Sequence, residues 1–138
     1  MTCILEPQQC KLIYKVSFLS LGTSMYAFYN KHYSLSCVTG GVFLTSINYW
    51  KHPDYSWRRY VDIFFVLFAL NYHFYKAYLS EYKVAYYLLM IGAVSMYPLG
   101  IYYYQQKLYW HSTYAHCALH IIANIANIIL YSSNIIYK

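Results

Sequence analysis

Long apolar runs separated by short polar punctuation give this chain its pattern. The fourteen charged residues (ten Lys and Arg plus four Asp and Glu) are bunched. They leave wide gaps between Lys15 and Lys31, Lys31 and Lys51, Asp62 and Lys76, Lys83 and Lys107, and Lys107 and Lys138. Each gap has room for a membrane-crossing helix of about 20 mostly apolar residues. The pattern predicts five such spans, over roughly 12–30, 33–50, 60–76, 84–104 and 112–134. The connectors are short: 31–32, 51–59 with Pro53 and Asp54 marking a turn, 76–83, and 105–111. No linker, internal repeat or low-complexity tract divides the chain. The expectation is one all-α domain over 1–138, a polytopic, multi-pass bundle integral to a membrane.

Composition strengthens this reading. Hydrophobic residues make up 60% of the chain and charged residues 10%, against about 25% charged in an ordinary soluble domain. Tyrosine is abundant, 21 of 138 residues. Clusters such as Tyr49, Trp50, Tyr55 and Trp57, or Tyr102, Tyr103, Tyr104, Tyr109 and Trp110, fall at expected helix ends, where an amphipathic ring suits the headgroup zone. Composition accounts for them without a functional aromatic site. A signal peptide over 1–24 is disfavoured, because Glu6, Pro7, Gln8 and Gln9 stand where a basic region belongs.

The net charge of +6 fits contact with anionic headgroups. No basic patch follows a nucleic-acid-binding pattern, so no nucleic-acid partner is expected. Lys11, Lys51, Arg58, Arg59 and Lys107 fall on the side of the N-terminus, and Lys31, Lys76, Lys83 and Lys138 on the other. Five against four leans towards a cytosolic N-terminus. Cys3, Cys10, Cys37 and Cys117 show no C-x-x-C spacing and read as small apolar fillers.

The polar residues of the last span carry the candidate chemistry. Ser112, His116, His120, Asn124, Asn127, Tyr131 and Asn134 step by fours and threes, forming one stripe on a helix otherwise filled by Ile, Leu and Ala. Lipid cannot satisfy such a stripe, so it faces the bundle interior or a wet cavity. His116 and His120 lie one turn apart and can aim two ring nitrogens at one point, as a zinc pair does. Interhelical hydrogen bonding that merely holds the bundle together is the first reading of the pair taken alone, a metal site the second, and a proton or substrate path the third.

Helix direction decides what can join the pair. In a five-span protein the end of span two, the start of span three and the first half of span five share a leaflet. That leaflet holds Ser46, His52, Asp62, His116 and His120. Asp62 precedes the apolar run Phe64–Phe68 and needs a partner there, whether Arg58 or Arg59, a histidine N–H, or a metal-bound water. His73 lies some 16 Å from Asp62 along the same helix and, beside Lys76, reads as interfacial. His32 and His111 read as solvent or headgroup residues.

Together, TSINYWKHP…WRRYVDI over 45–63 and HCALH over 116–120 resemble the membrane hydrolase superfamily of alkaline ceramidases, progestin and adipoQ receptors, and lipid-remodelling enzymes of GPI anchors. That family has Ser and His near the end of one helix, Asp in the next, and H-x-x-x-H in the last. Two departures stand out. Members have seven spans, and their His follows the Ser by four residues, where this chain has Trp50; His52 comes two residues later. The resemblance implies zinc on His116, His120 and His52, a zinc-bound water oriented or deprotonated by Asp62, and Ser46 bonding that water or the carbonyl of a lipid amide or ester. Membrane lipids would then be the substrates. The competing expectation is a small structural or assembly protein of a larger membrane complex or a membrane-containing virus, its polar stripe packed against another subunit. In either case a homo-oligomer or larger complex would help close so thin a bundle.

Overall fold

The computed structural model describes residues 4–136; Cys3 and Lys138, named above, lie outside them. The described residues are all-α, in the order α1 (Pro7–Val16), α2 (Leu19–Tyr29), α3 (Tyr33–Trp50), α4 (Trp57–Tyr78), α5 (Lys83–Gln105) and α6 (Tyr109–Tyr131). These six helices make five rods, because α1 and α2 together occupy the first expected span. α1 starts where Pro7 sits at its first position and the Gln9 side chain accepts the Glu6 backbone N–H at 3.0 Å. The rod breaks at Ser17–Phe18. Ser17 Oγ donates back to the Ile13 carbonyl at 2.9 Å, the kind of bond that bends a helix.

Two of the turns share one device. At Asn30–His32 the chain takes Lys31 to a φ of 64°, and at Gln106–Leu108 it takes Lys107 to 60°. The His32 N–H reaches the Ala27 carbonyl and the Lys31 N–H that of Phe28, both at 2.9 Å. Leu108 and Lys107 repeat this on Tyr103 and Tyr104. Both are Schellman closures with lysine where glycine is usual. The second closes its connector to three residues, so that α6 begins at Tyr109 rather than 112; that helix ends at Tyr131, leaving Asn134 beyond it.

Packing follows from small residues. Ser24 Oγ donates to the Ser36 carbonyl at 2.7 Å and Ser36 Oγ to the Ser24 carbonyl at 2.8 Å, drawing α2 onto α3. Gly41 of α3 lies directly under the Phe65 ring of α4, so closely that a Cβ there would displace the ring. α5 and α6 pack along their length, and α6 also receives α1 and α2. The segment after α6 returns to the α4–α5 turn, where Ser133 and Ser80 hydroxyls bond at 2.6 Å and the Ile136 N–H donates to Leu79.

Apolar residues such as Ile13, Leu35 and Leu130 fill the core, yet many large apolar side chains also face outward. Phe64, Leu88 and Ile91 are 69%, 68% and 63% exposed, whereas Thr39, Ser46 and Thr113 are buried. Among the described residues two helices, α5 and α6, are long and apolar enough to cross a membrane, and only 22% of the apolar window of α5 is buried inside the protein. A soluble core helix would hide most of that window; this one presents it outward. α4 has the length, but it carries Arg58, Arg59, Asp62 and Lys76.

Candidate functional site

The polar stripe of α6 turns inward, as its spacing implied. His120, Asn124 and Tyr131 are buried and His116 and Asn127 partly so. His120 Nε2 and His116 Nε2 are 3.2 Å apart, a hydrogen bond that needs one N–H and one lone pair, so at least one ring is neutral. Asn124 donates to the His120 carbonyl at 2.7 Å, while its own oxygen and that of Asn127 have no partner among the described residues.

Across the bundle Ser46 of α3 donates to Asp62 Oδ1 of α4 at 3.1 Å. Neither arginine reaches Asp62. Arg58 pairs with Asp54 at 3.2 Å and bonds the His52 carbonyl at 2.7 Å, and Arg59 lies over the Tyr55 ring. The Asp54 carboxyl, accepting from Ser56 and with the Arg58 guanidinium beside it, is held below the usual carboxylate range.

A second polar cluster sits deeper in the bundle, and sequence reasoning misplaced its central member. His73, expected at the interface, is buried. Its Nε2 lies 2.5 Å from the Tyr131 hydroxyl, which is 2.5 Å from Thr39 Oγ1, and its Nδ1 lies 2.7 Å from the Ala69 carbonyl. A carbonyl can only accept, so Nδ1 carries the proton and Nε2 accepts from Tyr131, which leaves Thr39 to donate to the Tyr131 oxygen. His32 is likewise buried rather than in solvent; His111 is exposed, against the Tyr103 ring.

This cluster fixes the depth of the candidate site. His73 and Tyr131 are bonded, and Asp62 and His120 each precede them by eleven residues, three helical turns or about 16 Å. α4 and α6 run in the same direction, so Asp62 and His120 lie at one level. The signal was in the sequence: an eleven-residue spacing repeated on two parallel helices.

Trp50 links the two halves. One turn beyond Ser46 on α3, its ring packs edge-on against His116 with centroids 4.9 Å apart. His52 sits exposed in the loop beyond. Two imidazole nitrogens on a tetrahedral zinc ion at about 2.0–2.1 Å stand about 3.4 Å apart, close to the separation found here. A zinc site needs at least a third protein ligand, however, and the described residues contain no group of three His, Cys, Asp or Glu side chains able to hold a metal. His52 stands apart in the loop, so His116, His120 and His52 do not come together as the zinc set that the resemblance implied; the ring that packs on His116 is the Trp50 indole, which offers no lone pair.

Comparison with models of known families, with characterised proteins and with solved structures gives no match.

Proposed function

We propose that the chain is a multi-pass membrane protein of five spans with the layout of the ceramidase-like membrane hydrolases, altered at Trp50 so that it handles lipid without a three-histidine zinc centre. The observation that carries this reading is the contact of Trp50 with His116, one turn from the Ser46–Asp62 pair. What supports it is the order Ser46, Asp62, His116 and His120 along the chain, with Trp50 four residues after Ser46, where the family has its His. Ser46 and Asp62 then form a hydrogen-bonded polar pair at the level of the imidazoles, with acceptor oxygens left over to take the hydroxyl of a lipid.

Metal analysis of the detergent-purified protein tests this. Far less than one zinc per chain is expected, unchanged in His116→Ala and His120→Ala. Near-stoichiometric zinc lost in both variants would overturn the assignment and restore the zinc hydrolase.

One observation favours a second reading, a structural subunit of a larger membrane assembly. α4 packs broadly on α3 but only slightly on α5, leaving Phe64, Leu67 and Phe68 turned outward as a surface for a second copy or another subunit. Cross-linking in native membranes distinguishes the two: a discrete heteromeric product through α4 supports assembly.

A further inference from the structure

A cavity of about 610 Å³ opens at the end of the bundle where α1 begins and the α3–α4 loop turns. Its wall includes Lys11 and Tyr14 from α1, Trp50 and Lys51 from the end of α3, and His52 and Asp54 from the loop. The chain is locked there: the Ile4 N–H donates to the Pro53 carbonyl at 3.4 Å and the Tyr104 hydroxyl to the Ile4 carbonyl at 3.3 Å. Arg58 bonds the carbonyls of Asn48 and His52 as well as Asp54.

The charge of the wall is one-sided. Asp54 is its one acid, and it is engaged by Arg58 in the one ion pair among the described residues. Lys11 and Lys51 have no carboxylate partner among those residues. With Asp54 engaged by Arg58, both lysines line the cavity with no free carboxylate beside them in its wall. Tyr55, Trp57 and Tyr109 are exposed at the same end, the residue types of a headgroup zone. Trp50, with one side on the cavity and the other on His116, makes the inner wall apolar.

We propose that this cavity binds the phosphate of an anionic phospholipid headgroup, held by Lys11 and Lys51, with the acyl chains running down the outside of the bundle. The volume exceeds that of a phosphate, leaving room for a glycerol-sized headgroup. A lipid is favoured over a free phosphate compound because the wall pairs cations with apolar rings at the level of the aromatic belt, the arrangement that suits a ligand half in water and half in hydrocarbon. The proposal does not rest on the hydrolase layout, since neither lysine belongs to the Ser46–Asp62 or His116–His120 pair.

The test titrates purified protein in phosphatidylcholine nanodiscs with brominated phosphatidylglycerol and follows quenching of tryptophan fluorescence. Saturable quenching is expected, with apparent affinity falling about fivefold in Lys11→Gln or Lys51→Gln and about 25-fold in the double variant, on the usual contribution of a basic residue near an anionic surface. Lys31→Gln/Lys83→Gln, which removes equal charge from the opposite end, is expected to leave the affinity within twofold. Equal loss in both double variants would mean diffuse surface attraction and overturn the proposal. So would competition by millimolar inorganic phosphate, which would assign the pocket to a free anion. Helicity by circular dichroism confirms that each variant is folded, and zinc content, the readout of the hydrolase layout, is unaffected by any of these outcomes.

Discussion

Replacing Tyr131 by Phe removes one hydroxyl and disturbs two hydrogen bonds, those with Thr39 and His73. The loss is nonetheless expected to be near one bond rather than two. Thr39 Oγ1 already lies 3.3 Å from His73 Nε2, so once the tyrosine hydroxyl is gone the threonine can turn and donate to the imidazole. Interhelical side-chain hydrogen bonds in membrane proteins average about 0.6 kcal/mol and reach about 1.7, so Tyr131→Phe should destabilise by about 1 kcal/mol. Thr39→Val should lose about the same, because Tyr131 keeps its bond to His73. The double variant strands His73 Nε2 without a donor, and an unsatisfied buried acceptor costs about 1–3 kcal/mol. The double variant should therefore lose more than the sum of the singles, by about 1 kcal/mol. Equilibrium unfolding in mixed micelles, followed by circular dichroism, measures all four corners of this cycle. Additivity within about 0.3 kcal/mol, or stabilisation by Tyr131→Phe, would refute the assigned direction of the bonds.

Two other outcomes follow from the turns. Lys31→Gly and Lys107→Gly relieve a left-handed conformation that glycine adopts freely, and each should raise stability by about 0.5–1 kcal/mol in the same assay; a loss in both would argue against the Schellman turns. His32 is pushed below its ordinary value by burial, with Lys76 adding to the effect and the carbonyls of Tyr131 and Ser133 opposing it. The folded state thus prefers the neutral ring while the unfolded chain protonates near pH 6.5. Stability from this group is complete above that pH and is lost as pH falls towards the lower folded value. Midpoint temperatures at pH 7.5 and 5.5 should differ less in His32→Gln than in the unaltered chain.

Much of the fold was legible because charge spacing and helix length are local properties. The five rods fall within a few residues of the spans read from the gaps between charges, and the inward stripe of α6 follows from its fours and threes. The break at Ser17–Phe18 was not legible, since it depends on a serine bonding back into its own helix, which sequence does not distinguish from an ordinary interior serine. His73 was misjudged for a related reason. Lys76 nearby suggested the interface, but a lysine one turn on can reach water while the imidazole stays inside. Of the partners open to Asp62, the arginines drop out for a reason sequence does not show: Arg58 lies four residues from both Asp54 and Asp62 and turns back to Asp54, leaving Asp62 to Ser46. Trp50 stands four residues after Ser46 in the sequence, but that its ring lies on His116 while His52 stays exposed in the loop depends on tertiary structure.

We propose that Trp50 stands in place of a third metal ligand beside the His116–His120 pair. Trp50→His tests it most directly, by zinc content and by cobalt substitution, whose absorption reports tetrahedral coordination. The account predicts close to one zinc per chain in Trp50→His, abolished by adding His120→Ala, in a protein that binds little zinc when unaltered. A Trp50→His chain that folds, keeps its helicity and still takes up no zinc or cobalt would contradict it.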